Sequence, residues 1–376
     1  MWYRVVFQPG KASERGELSA LYIPQVCTNL EVYLNGEPVH ASGRMEEPLT
    51  HNCNHPQLVP LPAALLAPGD NTIDIKVAGH PLAEVGSRAR AGSLSALRIG
   101  PQSELAWRHS WQTAVNVSFV QSLGATLLLM GGFMFVLGFI NRRESYLAYF
   151  GALSVGWALI DARLWLRSLP LTNAVVEFLL ASLAVFAAAA GVLFLLRYAR
   201  WRDRRVDRLL IAQCVLVPLA LVLAGPTHLH PVVTVVTWLL TLELLAASAF
   251  HLQVLWRTAS RSFWPMALLL AAGALALLVE LAARQLGADP TVPNLAHLVP
   301  PVIFVLLGLR LVQQHGRALQ EAELGKAHLE QRVREAAAEI ERNFRQLAEL
   351  KVEQVTERER KRIAADLHDD LGAKLL

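Results

Sequence analysis

Hydrophobic and polar positions are arranged in three different ways along the 376-residue chain. Up to about residue 110, short runs rich in β-branched and aromatic residues are separated by turns, which is typical of a β-sheet domain. Between residues 117 and 312, long apolar runs follow one another with short polar breaks. From residue 313 onwards the chain is polar and favours helix. The pattern therefore predicts a membrane protein with a soluble domain at each end.

The N-terminal part reads as an all-β domain. The predicted strands cover Trp2–Gln8, Glu17–Ile23, Leu30–Leu34, Thr72–Val77 and Leu94–Ile99. Asn35-Gly36 is a strong signal for a two-residue hairpin turn. Many short strands with Gly and Pro turns predict an extracytoplasmic β-sandwich or jelly roll over residues 1–110. Because the first residues already alternate like a strand, we expect that the N-terminus of the natural protein has been trimmed.

The central part contains seven apolar runs, and each has about the 17–25 residues needed to cross a bilayer. Charged residues make up 18% of the chain, below the roughly 25% of a soluble protein. The sequence therefore predicts a seven-helix transmembrane domain over residues 111–312. The runs lie at residues 117–140, 146–166, 174–197, 209–225, 231–256, 264–284 and 295–312.

Arginine is concentrated in the loops that follow the first, third and fifth runs. Short loops rich in Lys and Arg stay in the cytoplasm. This bias predicts an inner-membrane protein with its N-terminus outside the cytoplasm and its C-terminus inside. The formal net charge of +4 reflects this topology, and we expect no nucleic-acid partner.

The polar segment at residues 313–356 has an apolar seam. Its members recur at spacings of four and three, which predicts a coiled coil and a homodimer. The register slips between Leu350 and Val355, and such a stutter locally unwinds a coil. The alternative is a single amphipathic helix on a soluble domain. The seam consists of Leu329, Val333, Ala336, Ile340, Leu347 and Leu350.

A second apolar stripe occupies the last twenty residues. His368 lies just off it, and most of its neighbours on the same helix face are small, so a bulky partner can approach the imidazole. A neutral imidazole is nucleophilic near pH 7, and the adjacent Asp369 is placed to fix its tautomer and accept its other proton. The stripe is Ile363, Leu367, Leu371 and Leu375.

The segment Glu359–Gly372, with Arg362-Ile363-Ala364 and Leu367-His368-Asp369, resembles the phosphoacceptor box of sensor histidine kinases that pair with LuxR/NarL-type response regulators. The resemblance implies that His368 takes the γ-phosphoryl group from ATP with Mg²⁺ and passes it to an aspartate of such a regulator. Asp369 would be the orienting acid or base. Residues 357–376 would begin a dimerisation and phosphotransfer domain.

The same resemblance implies that ATP binds to a further domain, so we expect this chain alone to be inactive. Many members of the family carry Gln where this chain has Ala373, which leaves phosphatase activity open.

The N-terminal domain is similar to the extracellular jelly rolls of seven-span bacterial signalling receptors and to galactose-binding-like modules. The similarity lies in Leu21–Pro24, Asn29–Gly36 and Leu61–Ile75. It implies a small-molecule or carbohydrate ligand. The alternative is a folding and dimerisation module that binds no ligand.

Cys27 and Cys53 would lie in an oxidising compartment and could form a disulfide, or could remain two buried thiols. A metal site at His51, Cys53 and His55 is a weaker alternative, because a structural zinc ion usually has four ligands.

Ionisable residues within the apolar runs form the last group of candidates. Glu243 falls near the middle of run five, Glu280 lies in run six, and Glu177 begins run three. Asp161 lies in run two, where it is either a local charge pair with Arg163 or an interfacial anchor. Charged groups cost about 2.5–3.5 kcal/mol in a membrane helix, so such residues normally face the interior of the bundle. They predict a polar ligand or coupling site, or neutral acids that only pack helices.

Together these patterns predict the sensor part of a two-component histidine kinase, embedded in membrane lipid. The rival interpretation is a non-catalytic seven-span ligand-binding receptor or adaptor. A transporter fits less well, because the runs show no clear repeat of broken helices.

Overall fold

The computed structural model describes residues 1–8, 17–258, 263–286 and 295–373. The chain divides into two compact units, residues 1–308 and residues 309–376. The first unit contains a β-sheet region followed by a mostly helical region. The second consists of one helix within the described residues.

The β-sheet region contains nine strands among the described residues. Every strand pair is antiparallel, and two larger sheets account for seven strands. The strands are β1 (Trp2–Phe7), β2 (Ser19–Ile23), β3 (Val26–Cys27), β4 (Asn29–Leu34), β5 (Glu37–Ala41), β6 (Gln57–Leu61), β7 (Asn71–Ala78), β8 (Ser93–Leu94) and β9 (Arg98–Pro101).

A four-stranded sheet with the order β1-β7-β4-β5 and a three-stranded sheet with the order β6-β2-β9 share one hydrophobic core. Strand β7 shows how the sequence makes this possible, because Ile73, Ile75 and Val77 are buried while the residues between them are half-buried. Alternate residues of a strand point to opposite faces, so one face of β7 can enter the core. Strands β3 and β8 form a separate two-stranded sheet.

The predicted β-sheet region is confirmed, but its details differ from the prediction. Strands β3, β5 and β6 were not predicted, and the expected strand Leu94–Ile99 is divided between β8 and β9. The hairpin at Asn35-Gly36 is present, with both residues at positive φ (52° and 90°), between β4 and β5. The finer assignment of a jelly roll stays a prediction.

Nine α-helices follow or interrupt this region within the described residues. A π-helical turn at Ala114–Phe119 joins the second and third helices. The helices are α1 (Arg88–Ala91), α2 (Gln102–Thr113), α3 (Val120–Ile140), α4 (Ser145–Trp165), α5 (Asn173–Tyr198), α6 (Arg204–Ala224), α7 (Leu229–Arg257), α8 (Phe263–Leu286) and α9 (Leu295–Ala373).

Six helical stretches of the described chain are long and apolar enough to cross a membrane. The predicted run at residues 264–284 falls on α8, whose apolar stretch Phe263–Val279 is shorter. Several apolar helices are therefore present, and the exact seven-helix bundle stays a prediction. The six stretches are Gln102–Ile140, Arg142–Trp165, Asn173–Tyr198, Arg204–Ala224, Pro226–Arg257 and Leu298–Leu367.

Helices α3 and α4 pack antiparallel and very closely. A Cβ atom added at Gly138 would lie 2.1 Å from the backbone nitrogen of Ala148, and one at Gly151 would lie 2.4 Å from the carbonyl oxygen of Gly131. Only glycine allows such an approach of two backbones. We call this line of contact the glycine seam.

Helix α9 is continuous over its 79 residues, from an apolar beginning to a polar end. The region predicted as a coiled coil, residues 313–356, is helical throughout, but the coiled coil itself stays a prediction.

Candidate functional site

The β-sheet region and the helices of the first unit meet in a network of buried polar groups, which we call the polar junction. At its centre lies Glu177, near the start of α5, with a side chain that is only 3% exposed. Its carboxylate accepts hydrogen bonds from Arg90 Nη1 at 2.9 and 3.0 Å and from Arg163 Nη1 at 2.8 Å. The backbone N–H of Gly86 also donates to it, at 3.1 Å. One carboxylate thus joins the β-sheet region to α4 and α5.

Arg167 makes a second connection just after α4. Its Nε donates to Asn52 Oδ1 and its Nη2 donates to the carbonyl oxygen of Ser42, both at 2.9 Å. The carbonyl oxygen of Arg167 accepts from the backbone N–H of His51 at 2.8 Å. Both the side chain and the backbone of Arg167 are therefore bound by the β-sheet region.

A disulfide between Cys27 and Cys53 fixes the loop that receives Arg167. The bridge joins β3 to the segment that contains Asn52, with a Cα–Cα distance of 4.3 Å. Asn52 is fully buried, and its amide donates to Asn29 Oδ1 at 2.8 Å. Since Cys53 is engaged in the disulfide, it is not a thiolate ligand, and the metal site considered at His51, Cys53 and His55 is wrong. No group of three potential metal ligands is found among the described residues.

The start of α5 and the start of α7 complete the polar junction. The backbone N–H of Asn173 donates to Glu47 Oε1 at 2.7 Å, and its side-chain amide donates to the carbonyl oxygen of Glu84 at 3.2 Å. His230 Nδ1 lies 3.0 Å from the carbonyl oxygen of Val85. Three helices therefore carry groups that hold the β-sheet region.

Two histidines of the β-sheet region lie close enough to this network for its charges to change their pKa values. Burial, together with the positive charge of Arg163, lowers the pKa of His51 to about 4. Burial also lowers the pKa of His80, although Glu47 acts in the opposite direction. Its ring lies 3.9 Å from the carboxylate of Glu47. Burial and the charge of Arg163 thus favour the neutral form of both imidazoles.

The ionisable residues predicted within the apolar runs lie in different places. Glu243 of α7 accepts a hydrogen bond from Gln213 of α6 at 2.9 Å, so it joins two helices. Asp161 of α4 is 2% exposed. The backbone of Glu280 lies in α8, and its side chain is outside the described part of the structure. Arg163, two residues after Asp161, is bound to Glu177 of α5.

The backbone at His368 and Asp369 is helical, in the last turns of α9, and the side chains of both residues are outside the described part of the structure. The preceding segment is exposed and carries helical ion pairs, such as Lys361–Glu357 at 3.4 Å. The roles predicted for His368 and Asp369 therefore stay predictions.

Sequence reasoning noted Glu177 but not its partners. Arg90 is 87 residues away and lies in a short helix that no apolar pattern predicts. The single available signal was the position of charged residues next to helix ends, and it does not identify contacts.

Comparison of the sequence with protein-family models and with curated proteins found no match.

Proposed function

We propose that this chain is the sensor part of a two-component histidine kinase, in which an extracytoplasmic or membrane signal controls phosphorylation of His368. The observation that carries the proposal is the continuity of α9. One uninterrupted helix, Leu295–Ala373, begins in an apolar segment and ends in the Arg362–Gly372 box that resembles a phosphoacceptor site. A displacement of its apolar end can therefore reach position 368 without crossing a loop.

The exposed seam of α9 supports the dimer that such kinases require. Leu329, Ile340 and Leu347 are exposed in the single chain, at 63%, 56% and 62%. Large apolar side chains repeated along one face of a helix are normally covered by another helix. In this proposal a second copy of the chain covers them.

The helical register supports the role of position 368. Positions 364, 365, 371 and 372 share its face of the helix, and Ala364, Ala365 and Gly372 are small. They leave room for a nucleotide-binding domain to approach. In the proposed reaction an imidazole nitrogen forms a bond to the γ-phosphorus of MgATP, and the bond to the leaving ADP oxygen breaks. The imidazole proton passes to Asp369, and the phosphoryl group then moves to an aspartate of a LuxR/NarL-type regulator.

The orientation belongs to the same proposal. The β-sheet region lies outside the inner membrane and receives a small-molecule or carbohydrate ligand, and the C-terminal end of α9 lies in the cytoplasm. The polar junction supports this arrangement, because it gives the β-sheet region fixed connections to α4, α5 and α7. A change in the β-sheet region would then shift the helices.

The experiment supplies the chain, in membrane vesicles, with γ-labelled MgATP and a purified ATP-binding domain of this kinase class. We expect acid-labile label on the wild type and none on His368→Gln. His328→Gln is the matched control, since His328 is an exposed histidine on the same helix, and it should keep the label. Asp369→Asn should slow labelling. The proposal is wrong if His368→Gln is labelled like the wild type.

The receptor or adaptor alternative makes a different prediction. The polar junction would serve a ligand-binding receptor equally well, because none of its residues lies beyond α7. If a cellular response to the signal survives His368→Gln, the output does not pass through phosphate on this histidine. That result would favour the adaptor.

A further inference from the structure

The end of the helical region away from the polar junction carries a cluster of exposed arginines. Helices α3, α5 and α7 end here, and α4, α6 and α8 begin here, because Tyr146 of α4 contacts Tyr198 of α5, which contacts His251 of α7. We call the exposed arginines of this end the arginine cluster. They are Arg142, Arg143, Arg200, Arg202, Arg204, Arg205, Arg208 and Arg257.

Nearby acidic groups of the loop between α5 and α6 do not neutralise this charge. Asp207 is engaged by Arg197, whose Nη2 lies 2.6 Å from both carboxylate oxygens. Asp203 accepts a hydrogen bond from the backbone N–H of Arg205 at 2.7 Å, as the N-cap of α6. Within the described part of the chain, Arg204, Arg205 and Arg208 have no ion pair, and the cluster keeps a large positive excess.

The loop that presents these arginines is held in one shape. Arg197 Nη1 donates to the carbonyl oxygen of Trp201 at 3.0 Å, in addition to its bonds with Asp207. The ring of Trp201 packs against Phe250 of α7, with centroids 5.3 Å apart. A loop fixed at both of these points holds the backbone of its arginines in place, so little backbone entropy has to be lost on binding.

Exposed tryptophans lie at the same end. Trp256, at the end of α7, is 66% exposed, and Trp264, at the start of α8, is 75% exposed. Their side chains both contact Phe263. Tryptophan is enriched at the boundary between lipid tails and headgroups, where its ring meets both environments. This observation is independent of charge, and it is what a position at the level of lipid headgroups would produce.

We propose that the arginine cluster is a binding site for the headgroups of anionic phospholipids. A guanidinium group binds phosphate oxygens through two parallel hydrogen bonds, and five arginines lie within residues 200–208. Basic residues next to a membrane helix each attract anionic lipid, by about fivefold per charge. Zwitterionic lipid carries the same phosphate but no net charge, so the site distinguishes lipid classes through its positive excess.

The test measures lipids retained by the purified full chain. The protein is placed in nanodiscs of phosphatidylcholine with one-fifth phosphatidylglycerol, then released and weighed by native mass spectrometry. We expect the molar ratio of bound phosphatidylglycerol to bound phosphatidylcholine to exceed that of the nanodisc at least fivefold, and this enrichment to fall as salt rises. Inorganic phosphate at millimolar concentration should not displace it, which distinguishes a lipid site from a site for free phosphate.

The variant Arg204→Gln/Arg205→Gln/Arg208→Gln should lower this ratio at least fivefold, to about that of the nanodisc, because each charge attracts anionic lipid about fivefold. The matched control Arg332→Gln/Arg342→Gln/Arg360→Gln removes the same charge from exposed positions of α9 and should retain it. The variant Arg204→Lys/Arg205→Lys/Arg208→Lys keeps the charge, so it should insert into the membrane normally and keep most of the enrichment. The proposal is overturned if wild-type protein shows no enrichment, or if both glutamine variants lose it equally.

Discussion

The two ends of the helical region treat charge in opposite ways. At the polar junction, Glu177 is buried between Arg90 and Arg163, and each group has a specific partner. At the arginine cluster, guanidinium groups are exposed and exceed the acidic groups around them. A buried charge needs a partner in one geometry, so the polar junction fixes the position of the β-sheet region. An exposed excess has no such requirement and suits a partner that is itself mobile.

The largest effect should come from neutralising Glu177. Glu177→Gln leaves two arginines beside an uncharged amide, and removing one partner of a buried ion pair costs about 3–5 kcal/mol. We expect faster hydrogen–deuterium exchange in residues 84–92, which include the bound Gly86 N–H. Glu31→Gln is the control, because Glu31 pairs with Lys76 at 3.1 Å on a more exposed surface. That pair should contribute at most about 1 kcal/mol. If Glu31→Gln destabilised the protein as much as Glu177→Gln, the buried ion pair would be no stronger than the exposed one.

The disulfide should have the next largest effect. Cys27→Ser/Cys53→Ser removes a bridge across 26 residues, and such bridges contribute about 2–4 kcal/mol. The melting temperature of the β-sheet region should fall, and exchange at the His51 N–H should rise. Cys214→Ser changes a cysteine that is outside the disulfide, and it should leave both measurements as they are. If the double variant melts like the wild type, the bridge does not support the polar junction.

Acid should weaken the polar junction. The pKa of His51 is lowered to about 4 by burial, so the folded state binds fewer protons than the unfolded state at intermediate pH. The contribution of neutral His51 to the free energy of unfolding is complete above the pKa of an unfolded histidine, about 6.5, and is lost as the pH falls towards 4. Thermal unfolding between pH 7 and pH 4.5 should therefore be less pH-dependent in His51→Gln than in the wild type. His328→Gln should follow the wild-type curve, and a His51→Gln curve as steep as the wild type would contradict this account.

The smallest effect should come from the loop that carries the arginine cluster. Asp207→Asn weakens the pair with Arg197, which is only partly exposed, and we expect a loss of about 1 kcal/mol. Hydrogen exchange around Trp201 should report it. Asp203→Asn should change nothing measurable there, because asparagine caps a helix as well as aspartate. If Asp207→Asn lost as much stability as Glu177→Gln, the ion pairs at the two ends of the helical region would not differ in strength.

The apolar helices were predictable because each depends on local composition. The predicted run at residues 174–197 and helix α5, Asn173–Tyr198, differ by a single residue at each end. Strands β5 and β6 were missed because their patterns are irregular. Pro38 and Pro60 lie within them, and β5 is largely exposed.

The polar junction was not predictable from the sequence. Glu177 and Arg90 meet only because the β-sheet region rests on the starts of α5 and α7, and no local pattern encodes that placement. Asp161 and Arg163 illustrate the same limit. Their closeness in sequence left a local pair or an interfacial anchor open, and it did not indicate that Arg163 bonds to Glu177 of the next helix. Residues two apart on a helix point to different sides, so Arg163 can reach a neighbouring helix.

The glycine seam makes the first two long helices a single mechanical part. With Gly138 against Ala148 and Gly151 against Gly131, no side chain or lipid tail fits between the two backbones. Neither helix can rotate on its own axis without a steric collision, so both must tilt or slide together. Arg163 and Arg167 lie at the far end of this helix pair, and Arg167 is bound by the β-sheet region. A movement of the β-sheet region would therefore displace both helices together as one rigid unit.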